Sequence, residues 1–128
     1  MLPYPVNWKE SRIVWPKVTV QLPLYNEVYV AERLINAVCS LDYPADRLEI
    51  QVLDDSTDES LQLTAKKVKE LRAQGLDIKQ LTRKTREGFK AGALKDGLKT
   101  ARGEFIAIFD ADFLPESDWL LKTIPYFK

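Results

Sequence analysis

Short apolar runs alternate along the chain with segments in which apolar residues recur every three or four positions. Short segments rich in apolar and β-branched residues are typical of strands, and they predict strands over residues 18–22, 48–53 and 104–109. A further strand is predicted over 78–81, where Ile78 and Leu81 flank two polar residues. The three- and four-residue spacing predicts helices over residues 29–41, from about 56 to 73, over 89–101, and from about 115 onward. The chain therefore alternates strand with helix.

Individual residues set the predicted ends and faces of these elements. Pro23 should end the first strand, because proline cannot donate to a sheet ladder. Ser56 and Glu59 have the spacing of a capping box and should begin the second helix, which Gly75 closes. The inner face of the third helix is predicted to consist of Leu94, Leu98 and Ala101.

This alternation favours an α/β fold with an open, mainly parallel sheet and helices on both faces. Polar residues follow three of the four strands, at 25–27, 54–55 and 110–112. Ligands of such folds bind outside the carboxyl ends of the strands. The three polar clusters are therefore expected to lie together at one edge of the sheet.

The length of 128 residues is that of a single domain. Residues 1–16 hold three prolines and two tryptophans, Trp8 and Trp15, without a helical or strand period, so we expect an extended lead-in whose aromatic rings dock on another surface. Residues 17–128 form the predicted domain.

Charge and composition narrow the chemistry. Lys+Arg and Asp+Glu number 19 each, so the chain lacks the basic field of a nucleic-acid-binding protein. A single cysteine excludes an internal disulfide and indicates a reducing compartment, and the absence of histidine makes oxygen the expected metal ligand. No run of 18 apolar residues occurs, so this segment by itself is expected to be soluble.

Asp110 and Asp112 directly follow the apolar fourth strand. Side chains alternate along a strand, so the two carboxylates share one side and could hold one divalent ion together with substrate phosphates. The alternative is that they are turn residues that cap the following helix, but capping needs only one carboxylate. We therefore predict a Mg²⁺ site and a phosphorylated ligand.

The other polar positions admit two interpretations each. Asp54 and Asp55 could bind a ligand or could simply favour the N-terminus of the second helix. Tyr25 could lie flat beside a nucleobase or form the rim of the core. Lys90 opens a helix at residues 90–93, where Gly92 would let a ligand approach the backbone and the helix dipole favours anions.

A basic loop precedes Lys90. Arg83, Lys84 and Arg86 stand against the single acid Glu87, and together they could neutralise a diphosphate. We interpret these three cations instead as residues of a solvated loop, and assign ligand binding to Lys90 alone.

Four segments in this order resemble the N-terminal half of inverting, processive glycosyltransferases of family 2, and most of all the cellulose-synthase-like group. The resemblance extends over about residues 17 to 128, and its motifs lie at residues 23–27, 52–58, 90–94 and 108–113. Each motif alone is common, whereas the four in this order are specific.

The resemblance implies a GT-A fold that binds a nucleotide-diphosphate sugar. In such enzymes the residues at Tyr25 and Glu27 border the base and ribose, those at Asp54 and Asp55 contact the base, and the lysine at Lys90 reaches the nucleotide or its phosphates.

By the same resemblance, Asp110 contacts the nucleotide sugar, and the metal site consists of Asp110 and Asp112 with Mg²⁺ or Mn²⁺ bridging the diphosphate. The implied reaction is inverting transfer of a hexose from UDP-glucose or GDP-mannose to a growing β-glycan. The sequence does not decide between the two donors.

The family's general base and its Gln-x-x-Arg-Trp segment do not occur in this sequence, and neither do its membrane helices. We therefore expect a donor-binding portion of a longer membrane enzyme, on the cytosolic side, that transfers nothing by itself. Its expected partners are the nucleotide sugar, a polysaccharide acceptor and the remaining part of the enzyme.

Two alternatives from other classes remain. A haloacid-dehalogenase-type phosphatase also places Asp-x-Asp after an apolar strand. In those phosphatases the motif ends in Thr or Val near the start of the chain, whereas here Phe113-Leu114 follow it. A non-catalytic nucleotide- or metal-binding module is the other alternative. A dinucleotide fold is excluded, because neither glycine-rich phosphate-binding motif is present.

Overall fold

The structure is a computed structural model and describes residues 14–127. Its strands are β1 (Val18–Leu24), β2 (Leu48–Asp54), β3 (Ile78–Leu81) and β4 (Phe105–Ile108). Its helices are α1 (Val28–Cys39), α2 (Ser60–Ala73), α3 (Phe89–Leu98) and α4 (Trp119–Thr123), with short 3₁₀ turns at Ala45–Arg47 and Ile124–Phe127. The predicted alternation of strands and helices is confirmed.

The four strands form one sheet in the order β3-β2-β1-β4, and every neighbouring pair is parallel. The predicted α/β fold class is therefore confirmed, and the described sheet is parallel throughout. β1 and β2 occupy the centre and pair along their full length, from Val18 with Leu48 to Leu24 with Asp54. Their carboxyl ends consequently lie side by side.

The two faces of the central strands differ in character. Val20, Leu22 and Val52 are fully buried in one continuous apolar core with residues of α1, α2 and α4. The opposite face carries four buried polar side chains, which are Thr19, Gln21, Glu49 and Gln51. Helix α3 packs on this polar face, where Gln51 Nε2 donates to the Gly97 carbonyl at 2.8 Å and Gln21 Nε2 donates to Gln51 Oε1 at 3.0 Å.

Pro23 does not end β1, which continues to Leu24. The Gln21 carbonyl accepts from the Phe109 N–H at 3.1 Å, so the backbone groups of Gln21 and, two residues later, of Pro23 face the β4 side. Strand β4 stops at Ile108, which pairs with Gln21, and no strand partner on that side needs a donor from Pro23.

The predicted capping box is also wrong. Helix α2 begins at Ser60, and the Asp58 carboxylate accepts from the Ser60 N–H at 2.9 Å. The Ser56 hydroxyl accepts instead from the Asn26 N–H at 2.8 Å, in the loop that follows β1. A contact between distant loops therefore replaces the local cap.

The inner face of α3 differs from the predicted Leu94, Leu98 and Ala101. Ala93 and Gly97 are buried, Leu98 is 51% exposed, and the helix ends at Leu98. The buried amides of Gln21 and Gln51 donate directly to backbone carbonyls of α3. These hydrogen bonds require the helix to lie close to the sheet, so small residues face inward.

Trp15 docks within the chain. Its ring is buried and meets the Tyr43 ring edge-on at 5.7 Å, and the Tyr43 hydroxyl donates to the Pro16 carbonyl at 2.6 Å. Trp8 lies outside the described residues, and the division at residue 16 stays a prediction.

Within residues 14–127 no helix has the length and apolar character needed to cross a membrane.

Candidate functional site

A cleft of about 110 Å³ opens at the carboxyl ends of β1 and β2, beside the start of α3. Four of the residues predicted from the sequence line it, and these are Tyr25, Glu27, Asp55 and Lys90. Arg86 lines the same cleft. The parallel sheet thus brings the predicted clusters after β1 and β2 together with the start of α3, whereas the third predicted cluster, at residues 110–112, does not line this cleft.

Asp54 lies behind this cleft and is 1% exposed. Its Oδ1 accepts from the Ser56 N–H at 3.0 Å, and its Oδ2 accepts from Gln80 Nε2 at 2.9 Å. Both oxygens therefore hold neighbouring segments in place. A contact of Asp54 with the base remains a prediction.

Asp55 is held by Arg83. The guanidinium donates to both carboxylate oxygens, from Nε at 3.1 Å and from Nη2 at 2.6 Å, and both side chains are largely buried. Arg83 also donates to the carbonyls of Glu87 and Phe89 at the start of α3. The interpretation of Arg83 as a solvated loop residue is wrong, because a buried carboxylate requires a cationic partner.

Arg86 is likewise not a solvated loop residue. Its guanidinium carbon lies 3.6 Å from the centroid of the Tyr25 ring, and its Nε is 3.8 Å from Asp55 Oδ2. Sequence reasoning missed both arginines, although the excess of cations between residues 83 and 90 was a usable signal. Asp55, at the end of a buried strand, was the acid that required them.

Lys90 forms an ion pair with Asp110, and both side chains are about half exposed. This contact joins the cleft to the end of β4. Asp112 is exposed, and its carboxylate makes no hydrogen bond or ion pair to any residue between 14 and 127. Of the two predicted metal ligands, Asp112 is therefore open to solvent, and Asp110 is paired with the ammonium group of Lys90.

Asp110 and Asp112 offer accessible carboxylate oxygens, the type of ligand that a hard divalent cation takes. They lie in a turn in which the Phe113 N–H donates to the Asp110 carbonyl at 2.9 Å, so the alternation of side chains along a strand, which the sequence analysis assumed, does not extend to them. In the described part of the chain, no group of three or more acidic, histidine or cysteine side chains is arranged to hold a metal.

Gly92 does not serve the role predicted for it. A Cβ at this position would lie 1.9 Å from the Glu87 carbonyl oxygen and 2.9 Å from Arg83 Nη1. The space beside its backbone is therefore filled by the protein's own preceding loop. Glycine is required here for the close approach of that loop to α3, not for a ligand.

Asn26 links the two loops at the mouth of the cleft. It adopts a left-handed conformation with φ of 52°, and its Oδ1 accepts from the Thr57 N–H at 2.8 Å. Asparagine is one of the few residues that tolerate this conformation. The loop after β1 is thus fixed to the loop after β2.

The fold and the position of the site define a class of protein, the GT-A glycosyltransferases. The chain is 34% identical to the mannosyltransferase PcManGT from Pyrobaculum calidifontis, solved in complex with GDP-Man and Mn²⁺, with a TM-score of 0.75 over 84% of this chain and 33% of that one. It is 28% identical to S. aureus TarS residues 1–349, solved in complex with UDP-GlcNAc, with a TM-score of 0.67 over 87% of this chain and 31% of that one.

The model of glycosyl transferase family 2 matches residues 19–128, and the chain belongs to that family. Among curated proteins, it is 51% identical over 116 residues to probable glucomannan 4-beta-mannosyltransferase 11 of Oryza sativa subsp. japonica. That alignment includes 88% of this chain and 20% of the relative. The chain therefore spans about a fifth of the length of this relative, and the predicted resemblance to the cellulose-synthase-like group is confirmed.

Proposed function

We propose that this chain is the donor-binding part of a hexosyltransferase that uses a nucleotide-diphosphate sugar, and that GDP-mannose is the donor. The relatives named as mannosyltransferases and the neighbour solved with GDP-Man support this choice over UDP-glucose. Membership of the family favours transfer over the phosphatase and non-catalytic alternatives.

One observation carries the proposal. Tyr25, Glu27, Asp55 and Lys90 line a single cleft, and Lys90 contacts Asp110 at the end of β4. A nucleotide in the cleft would have its base near Tyr25 and Asp55 and its diphosphate near Lys90. The carboxyl edge of a parallel sheet is where α/β folds bind nucleotides.

Mg²⁺ or Mn²⁺ fits the proposed site, with Asp112 and Asp110 as the ligands from the protein. Bound there, the cation would neutralise the diphosphate that leaves when the sugar is transferred. Lys90 would add a second positive charge beside the phosphates. Asp55, held in place by Arg83, would present its carboxylate at the base end of the cleft.

The activity of the whole protein forms the wider part of the proposal. We infer inverting transfer to a growing β-glycan by a membrane-bound enzyme that faces the cytosol. In this proposal the residues that bind the acceptor, the general base and the membrane helices are supplied by other parts of the enzyme. The 128-residue chain alone is then expected to bind the donor without transferring sugar.

Calorimetric titration with GDP, GDP-mannose and UDP, each with Mn²⁺ and with a chelator, tests the proposal. We expect binding of GDP and GDP-mannose that weakens at least about tenfold when Mn²⁺ is removed, a loss of about 1.4 kcal/mol. Asp112→Ala should abolish this dependence on Mn²⁺, because its carboxylate is the accessible ligand. Glu116→Ala, which removes an exposed carboxylate from the same segment, is the matched control.

Binding that does not respond to Mn²⁺, or an Asp112→Ala variant indistinguishable from Glu116→Ala, would contradict the metal site. The absence of binding to every nucleotide would contradict the function itself. Tighter binding of UDP than of GDP would leave a donor site but reverse the proposed choice of sugar nucleotide.

A further inference from the structure

A groove of about 380 Å³ lies between helices α1 and α2, apart from the nucleotide cleft. Val28 and Ile35 of α1 and Thr64 of α2 are among the residues that line it. Its rims carry two exposed apolar side chains, Tyr29 on α1, which is 83% exposed, and Leu63 on α2, which is 49% exposed. Tyrosine is enriched where proteins contact one another, so this groove is a candidate contact surface.

Charged side chains of both signs surround the same groove. Glu32 lies on the α1 rim, Glu59 directly before α2, and Lys66, Lys67 and Glu70 on the α2 rim. None of the five side chains forms a hydrogen bond or an ion pair with any residue that the structure describes. The acid of the α1 rim and the lysines of the α2 rim therefore stand on opposite sides of the groove without contact between them.

The topology fixes the direction of the two rims. All described strands are parallel, so α1 and α2 both begin at the carboxyl edge of the sheet and run the same way. A two-fold axis along the groove would place α1 of one copy over α2 of another. Tyr29 and Glu32 are the second and fifth residues of α1, and two positions further along α2 the fourth and seventh residues are Leu63 and Lys66. One shift thus aligns an apolar pair and a pair of opposite charges.

We infer that the groove between α1 and α2 is a dimer interface, covered by the same surface of a second copy of this chain. Such an isologous contact requires a surface that complements itself. In the dimer, the Tyr29 ring of each copy would cover Leu63 of the other, and Glu32 of each would approach Lys66 of the other. The inference goes beyond the proposed function and does not depend on it, because no residue that lines the nucleotide cleft lines this groove.

The expected complex is weak and reversible. One pair of helices from each copy is small beside a standard interface of about 1,600 Å². Exposed ion pairs are screened by salt, so association should also weaken as the salt concentration rises.

Sedimentation velocity of the 128-residue chain at concentrations from about 1 to about 200 μM, a range that covers weak affinities, measures the association. Glu32→Lys and Lys66→Glu each bring like charges together, and the double variant exchanges the charges and restores the pair. Tyr29→Ala removes the aromatic contact. Lys69→Glu is the matched control, because Lys69 is an exposed lysine of α2 that does not line the groove. Thermal unfolding verifies that each variant retains the fold.

We expect the wild-type chain to shift from monomer to dimer over this range. Each single charge reversal should weaken association roughly tenfold, because two attractive pairs become two repulsive ones. The double variant should recover most of that loss, and Lys69→Glu should associate like the wild type. Tyr29→Ala should weaken association by about tenfold or more, because it removes an aromatic side chain from each half of the interface.

A chain that stays monomeric over the whole range would overturn the inference and would leave the groove to a different occupant. A dimer that neither the charge reversals nor Tyr29→Ala weaken would use another surface, which overturns the inference as well. The same holds if the double variant associates as weakly as the single variants, or if Lys69→Glu weakens association equally. Either result would show an effect of charge without a specific pair.

Discussion

At the scale of single residues, the two neighbouring acids after β2 have different tasks. Asp54 points inward and ties the loop after β2 to Gln80 on β3, while Asp55 borders the cleft and is held by Arg83. Adjacent residues at a strand end face opposite sides, so the Asp54 carboxylate meets Gln80 on β3 and the Asp55 carboxylate meets Arg83 in the loop before α3. The pair is therefore a structural residue followed by a residue of the cleft.

Asp54→Ala is expected to lower the free energy of unfolding by about 2 kcal/mol, because the Ser56 N–H and the Gln80 amide each lose a buried acceptor. Urea unfolding measures the change. The exposed Asp112→Ala variant is the control and should shift stability by less than about 0.5 kcal/mol. Equal stability of the two variants would contradict the structural role of Asp54.

The sequence predicted four residues that the structure brings to one cleft, but not the partners that hold them there. Asp55 could be predicted because it follows an apolar strand. Its pairing with Arg83 could not, since that contact joins positions 28 residues apart and depends on how the loop before α3 folds back. The same holds for Arg86, whose position over Tyr25 exists only after β1 and α3 have packed together.

At the scale of elements, helix α3 packs so closely on the sheet that Gly97 has no room for a side chain. A Cβ on Gly97 would lie 2.6 Å from Gln51 Oε1 and 2.7 Å from Gln21 Nε2. These two amides are buried and bonded to each other and to the helix, so they have no room to move. Periodicity predicted the existence of α3 but the wrong inner face, because it assumes that a helix packs on an apolar surface.

Gly97→Ala is therefore expected to destabilise the protein by about 1–3 kcal/mol, the usual cost of overpacking. Helix propensity alone predicts the opposite, a gain of about 1 kcal/mol. Denaturant unfolding distinguishes the two, with the exposed position Lys95→Ala as the control on the same helix. A stabilised Gly97→Ala variant would show that the helix can move away from the sheet.

At the scale of the whole molecule, one buried carboxylate connects the sheet to the chain that returns from α3. Burial raises the pKa of Glu49, but hydrogen bonds from the Arg102 backbone, the Thr19 hydroxyl and the Arg102 guanidinium outweigh it and lower the pKa to about 2. The ionised form is thus favoured by folding. Its stabilisation is complete above the unfolded pKa of 4.5 and is lost as the pH falls toward 2.

Unfolding experiments between pH 7 and pH 2 should show this loss in the wild-type protein below about pH 4.5. Glu49→Gln should be less stable than the wild type at pH 7, and the difference should shrink on acidification. The exposed Glu70→Gln variant should follow the wild-type curve. A constant difference between wild type and Glu49→Gln at all pH values would contradict the role of the charge.

The strands that lead to the cleft differ in how far they are paired with their neighbours. β1 and β2 stay paired as far as Leu24 and Asp54, immediately before Tyr25 and Asp55. β4 pairs with β1 only as far as Ile108, at the margin of the described sheet, and Asp110 and Asp112 lie beyond that point. The end of the cleft proposed for the base therefore follows two strands that are paired to their last residues, whereas the proposed metal ligands follow a strand whose pairing with β1 stops two residues before Asp110.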